Sequence, residues 1–276
     1  MSIVRMCDMS FASSLFVNFR TNSVLDNLLC SYKGLPKGVN YMIIGDPGVG
    51  KTTVILDMLA NIQQNYSSSR LLFISAEMNE IDLAIYVQRY PKFNYLNILF
   101  VESDCSIETH HWQKICDIMN EGWDIVAIDS FHELQGVIKE EENVKLKSAE
   151  TMLLSLIKQQ NKANNLRKLN TTFLTIQQVT KTGAFIGSNR LKHAITAMME
   201  LRLENSKNIY SDRFIVFSKH RRGDVGVKLY YNLEKTGNVF FDEQRFENEQ
   251  IIRKEQKAIT TRIRNYADQF DKLFTD

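Results

Sequence analysis

The stretch Gly45-Asp46-Pro47-Gly48-Val49-Gly50-Lys51-Thr52-Thr53, preceded by the apolar run Tyr41-Met42-Ile43-Ile44, constrains the fold of this chain more than any other part of it. An apolar run, a glycine-rich turn and a helix-period pattern in that order read as strand, loop and helix. The spacing, glycine, four residues, then Gly-Lys-Thr, is that of a loop that wraps phosphate. Gly45, Gly48 and Gly50 let the backbone turn tightly, so that its N–H groups and the positive end of the following helix face an anion. Lys51 would reach the β- and γ-phosphates of a nucleoside triphosphate, and the Thr52 hydroxyl would ligate Mg²⁺, a hard cation that binds through oxygen. Asp46, Pro47, Val49 and Thr53 complete the expected binding segment. The competing reading is a turn that only happens to fit, and the strand before it and helix after it argue against that.

The rest of the chain repeats the alternation. Leu71 to Ala76 reads as a buried strand with Glu77 at its carboxyl end, and Trp123 to Ile128 as another that delivers Asp129 to its end. Asn97 to Val101 and Thr171 to Ile176 are further strands, the latter ending at Gln177-Gln178. Helix patterns over about 51–64, 80–90, 107–121 and around Ala149 to Ile157 lie between them, and Leu25, Leu28 and Leu29 suggest a lead-in helix. Strands separated by helices predict an α/β fold with a mainly parallel sheet covered on both faces, its ligand beyond the carboxyl ends. Gly45, Glu77 and Asp129 all fall at that edge.

Residues 136–147 and 180–190 read as loops, the first charged and weakly patterned. Thr196 to Leu203, Arg213 to Ser218 and Val227 to Asn232 read as antiparallel strands closing one side of the sheet. Ile252, Gln256, Ile259, Ile263, Tyr266, Phe270 and Leu273 step by fours and threes, an amphipathic C-terminal helix able to dock on a neighbour or a partner protein. The expected organisation is an arm and lead-in helix over 1–38, a nucleotide-binding domain over 39–245, and the C-terminal helix over 246–276.

With 34 Lys+Arg against 32 Asp+Glu, any basic surface for nucleic acid must be local. Cys7, Cys30, Cys105 and Cys116 form no Cys-x-x-Cys pair, so no zinc ribbon or disulfide framework is written here, and a reducing cytoplasm is the expected setting. No apolar run is long enough to span a membrane. The five histidines lack ligand spacing.

Hydrolysis of a triphosphate needs held metal, an oriented water and positive charge at the γ-phosphate. Asp129, after four apolar residues, fits the acid that holds Mg²⁺, against a plain helix-capping acid. Glu77 fits the water-activating carboxylate because its strand is expected to neighbour the phosphate-loop strand, against a solvated acid starting a helix. Gln178 could touch the γ-phosphate and relay its presence, against an ordinary polar strand end. Lys219-His220-Arg221-Arg222-Gly223 is a basic cluster at a strand end, which by itself reads first as a solvated turn.

Over roughly Asn22 to Asp242 the chain resembles the RecA-like ATPases, most of all their RadA (Sms) branch. The resemblance rests on the Gly45 to Thr52 loop, Ile74-Ser75-Ala76-Glu77, Ile128-Asp129-Ser130, and above all on Val179-Thr180-Lys181-Thr182-Gly183-Ala184-Phe185-Ile186-Gly187. It implies ATP with Mg²⁺, Glu77 as catalytic glutamate and Asp129 as the Walker B aspartate. Lys219-His220-Arg221-Arg222-Gly223 matches that family's Lys-Asn-Arg-Phe-Gly motif, with His220 and Arg222 departing. By that match Lys219 and Arg221 would reach the ATP of a neighbouring subunit in a ring or filament. The segments at about 135–147 and 180–190 would line a channel for single-stranded DNA, with Lys181, Arg190 and Lys192 as its contacts. The resemblance also has departures: the four-cysteine zinc module and the Lon-like domain of that branch are not recognised, Gln178 stands where histidine is usual, and Glu140 to Glu142 make the first channel segment acidic.

The expected function is therefore an oligomeric ATPase acting on single-stranded DNA in recombination, repair or replication. A DnaB-like replicative helicase is one alternative, supported by Lys219-His220-Arg221-Arg222-Gly223 followed by Val227-Lys228-Leu229. A nucleotide-switched assembly protein without a DNA partner is the other.

Overall fold

The computed structural model describes residues 4–9, 13–101, 110–179 and 188–273. Its strands are β1 (Asn40–Gly45), β2 (Leu71–Ser75), β3 (Asn97–Phe100), β4 (Ile125–Asp129), β5 (Thr172–Ile176), β6 (Ala197–Leu203), β7 (Arg213–His220), β8 (Leu229–Leu233) and β9 (Val239–Phe241). They form one sheet in the order β3-β2-β4-β5-β1-β6-β7-β8-β9. Every neighbouring pair from β3 to β6 is parallel, and β7, β8 and β9 follow antiparallel.

The helices are α1 (Asp26–Leu29), α2 (Lys51–Asn65), α3 (Glu80–Arg89), α4 (His111–Asn120), α5 (Phe131–Glu141), α6 (Leu146–Asn161), α7 (Asn189–Ala194) and α8 (Glu243–Leu273). The central strands are apolar at nearly every position because both faces are covered. On β1, Tyr41 and Ile43 point into the core shared with α2, whereas Met42 and Ile44 point into the core shared with α4, α5 and α6. This period of two places the following loop between the layers, at the carboxyl edge of the sheet.

Four expectations are corrected by the fold. Residues 136–147 are not a loop: α5 runs through Glu141 and α6 starts at Leu146. The Ser130 hydroxyl caps α5 by accepting the Glu133 N–H at 3.4 Å, and Phe131, Leu134, Gln135, Val137 and Ile138 bury one helical face while Lys139 and Glu140 stay exposed. The Glu141 carboxylate accepts the N–H groups of His111 at 3.0 Å and Trp112 at 2.8 Å, which opens α4.

β6 is parallel to β1, and only its pairing with β7 is antiparallel. The chain makes the required crossover with α7, which starts inside the stretch expected to be a loop and is capped by the Ser188 hydroxyl on the Leu191 N–H at 3.1 Å. Finally, β2 does not neighbour β1, since β4 and β5 lie between them. The lead-in helix is also short, four residues, because the Asp26 carboxylate gathers the Thr21 N–H and hydroxyl and the Asn22 N–H into a turn before it.

Candidate nucleotide site

Gly45 closes β1, Asp46 to Gly50 turn, and Lys51, Thr52 and Thr53 form the first turn of α2. Gly45 lies against the Leu201 carbonyl, where a Cβ would collide with backbone, and Gly50 has φ +94° with the Leu233 side chain packed against it. The turn is held from three sides. Tyr231 on β8 donates its hydroxyl to the Val49 carbonyl at 2.8 Å, Arg202 on β6 meets the Asp46 carboxylate at 3.1 Å, and the Thr53 hydroxyl bonds the Tyr86 hydroxyl of α3. Arg202 is itself clamped by Glu200 at 2.9 Å. These supports escaped sequence reading, although Glu200 and Arg202, alternating charges near the end of an apolar strand, were the one visible signal.

Lys51 donates to the carbonyls of Gly45 at 3.0 Å and Asp46 at 3.1 Å, which curls its ammonium back over the turn. Burial pulls its pKa down, and the charges of Asp129, Glu77 and Asp46 oppose that pull. The Thr52 hydroxyl donates to Asp129 at 2.6 Å across the gap between α2 and β4. Asp129 is 3% exposed and its pKa is pushed up to about 6, by burial first and then by the Glu77 charge, against the Thr52 hydrogen bond and the Lys51 charge. A hydroxyl and a carboxylate within hydrogen-bond distance at a helix N-terminus are a hard-oxygen pair of the kind Mg²⁺ takes, so the donor chemistry fits that ion.

The backbone at Glu77 is tied to the end of β4 although its strand is two positions further along the sheet from β1 than the sequence suggests. The N–H groups of Ala76 and Glu77 both bond the Asp129 carbonyl, at 2.7 and 3.2 Å, which pins the start of the β2–α3 connection to the end of β4. The Glu77 side chain is exposed at that edge. Gln178, two residues past β5, lies at the same edge and donates to Glu133 of α5 at 3.3 Å.

Lys219 and Arg221 lie elsewhere. Gly45 pairs with Leu201 and His220 with Ala197, so the two sites are about 13 Å apart along β6 at roughly 3.3 Å per residue, at opposite ends of the sheet. There Lys219 donates to the Lys192 carbonyl and Arg221 to the His193 carbonyl at 2.9 Å, both at the carboxyl end of α7. Of the expected DNA contacts, Lys181 lies outside the described residues, Arg190 is exposed and donates to Thr151 at 2.9 Å, and Lys192 is exposed on α7.

No family model matches the chain. It is 21% identical over 215 residues to the DNA repair protein RadA of Aquifex aeolicus (strain VF5), a match that covers 77% of this chain and 44% of that protein's length. In three dimensions it is similar to the KaiC-like protein of the hyperthermophilic archaeon Pyrococcus horikoshii OT3, with a TM-score of 0.59 and 16% identity over 82% of this chain and 97% of that one. Its mainly parallel sheet and its phosphate loop, together with these two likenesses, give the chain a RecA-like fold with a P-loop and a sequence similar to that of RadA.

Proposed function

We propose that this chain is an oligomeric, Mg²⁺-dependent ATPase of the RecA type that acts on single-stranded DNA, with each hydrolytic site completed by a neighbouring copy. Lys51 and the loop N–H groups would hold the triphosphate, and Thr52 and Asp129 the ion, which would neutralise charge on the transferred phosphoryl group. Glu77 would orient the attacking water and Gln178 would sense the γ-phosphate. The observation that carries the oligomeric reading is the separation of Lys219 and Arg221 from their own loop by most of a strand's length. In this reading the two cations would serve a nucleotide held by another copy.

The exposed Arg190 and Lys192 support the DNA reading, as does the name of the RadA relative. In the same reading, 1–38 and 246–276 flank the ATPase domain, and the exposed Ile252, Ile259, Ile263 and Tyr266 of α8 would take a partner protein in the cytoplasm. Among the described residues no helix is long and apolar enough to cross a membrane.

ATP turnover measured with and without single-stranded DNA, across a salt series, tests the proposal. DNA should raise the rate, and added salt should weaken binding steeply. A rate indifferent to DNA, with no salt-sensitive binding, would instead select the nucleotide-switched assembly protein, a reading favoured by the acidic, helical stretch where a first DNA loop was expected.

A further inference from the structure

A cavity of about 1090 Å³ opens at the end of the sheet opposite the phosphate loop. Lys37, Arg221 and Arg222 supply its charge, Phe16 and Tyr32 its rings, and no aspartate or glutamate lines it among the described residues. Tyr32 is 82% exposed and Phe16 69%, so the rim is apolar as well as basic. At the other end of the molecule, α3 begins three residues after Glu77 and carries the inverse surface. Its first turn holds Glu80 and Asp82, both exposed, and Ile81 and Ile85, one helical turn apart, are 71% and 61% exposed. The two isoleucines and the two acids thus put an apolar strip beside a negative one on the exposed side of α3.

We propose that α3 of one copy seats in this cavity of a second copy. The occupant is argued from charge and position together. Glu80 and Asp82 meet Lys37 and Arg222, while Ile81 and Ile85 cover the exposed rings. The contact joins two different patches, so it is head-to-tail and propagates into a ring or a filament. Position then links the contact to hydrolysis, and this part rests on the trans-acting reading proposed above. Arg221 lines the cavity, and α3 starts beside Glu77, so seating the helix brings Arg221 to the face of the neighbour that carries the phosphate loop. Arg221 leaves the His193 carbonyl when it turns to that nucleotide, which frees the carboxyl end of α7.

Charge reversal tests the docking without relying on turnover. Lys37→Glu with Arg222→Glu makes one variant, and Glu80→Arg with Asp82→Arg makes another. Sedimentation with a non-hydrolysable ATP analogue should find each variant at least ten-fold weaker in assembly than the native chain. A single chain carrying all four changes should assemble again, because both halves of the contact are then inverted. Ile81→Ser with Ile85→Ser, which leaves the charges alone, should also weaken assembly. Nucleotide binding and helix content are followed for each, so that a misfolded variant is recognised and the remaining ones decide. Native-like assembly of the reversed or serine variants, or a four-fold variant that stays dispersed while folded, overturns the proposal. So does a cavity variant that assembles normally but loses salt-dependent retention of single-stranded DNA, which would make the cavity a nucleic-acid site. If assembly follows the charge pattern while Arg221→Ala retains full turnover, the docking stands and the trans-acting reading alone fails.

Discussion

At the scale of single residues, the site combines a buried acid with a lysine whose charge is only partly compensated. Lys51→Ala removes the one ammonium that curls over the loop, so turnover should fall by at least about 10²-fold, as for other losses of a charge-stabilising donor. Rapid-quench measurement of phosphate release checks this. Asp129 carries a pH signature. Its folded pKa is raised to about 6, so the folded chain binds a proton more readily than the unfolded chain between roughly pH 4 and 6. That group's contribution to stability is therefore greatest in acid and declines as pH rises through this window, leaving a buried charge above it. Asp129→Asn should stabilise the metal-free and nucleotide-free protein above pH 7 by on the order of 1–3 kcal/mol, with the difference vanishing near pH 4. Urea unfolding at both pH values decides, and a destabilised variant at pH 8 would show that hydrogen bonding outweighs burial there.

At the scale of elements, the informative case is the acidic stretch from Glu140 to Glu142. Charge composition suggested a solvated loop, but a helix is chosen by where its apolar side chains can go, and Phe131, Leu134 and Ile138 find the face of the sheet core. Glu141 then becomes a structural group. Burial alone would raise its pKa, but the N–H groups of Trp112 and His111 and the His111 ring hold it below the ordinary carboxylate range. Glu141→Ala leaves two N–H groups of α4 without that acceptor and should lower stability by about 1–2 kcal/mol, with little change in nucleotide affinity. Denaturant titration beside a nucleotide-binding assay separates the two effects. An equal loss in both would mean that α4 and the phosphate loop are mechanically joined.

At the scale of the whole molecule, the phosphate loop and the Lys219/Arg221 pair occupy opposite ends of one sheet, and a head-to-tail assembly brings such ends together. Arg221→Ala should leave nucleotide binding nearly intact and lower turnover by about 10²-fold or more. Mixed with Lys51→Ala protein, which is inactive through its own loop but supplies the arginine, it should regain part of its rate. Turnover of the mixtures measured across their ratios is the check, and full activity of Arg221→Ala alone would exclude a trans-acting role.

The sequence by itself determined the layered α/β core, because apolar runs alternating with helix-period segments have few other ways to bury both faces. It also determined the loop from Gly45 to Thr53 and the placing of Glu77 and Asp129 at one edge, since each is a strand end written locally. Only the tertiary structure decided which strands are neighbours. It put β4 and β5 between β2 and β1, turned β6 parallel through α7, and made Glu141 a cap. It also revealed that Arg202 and Tyr231, far along the chain, brace the loop. Strand order and long-range partners depend on contacts between segments many residues apart, and no local pattern of propensity or period records them.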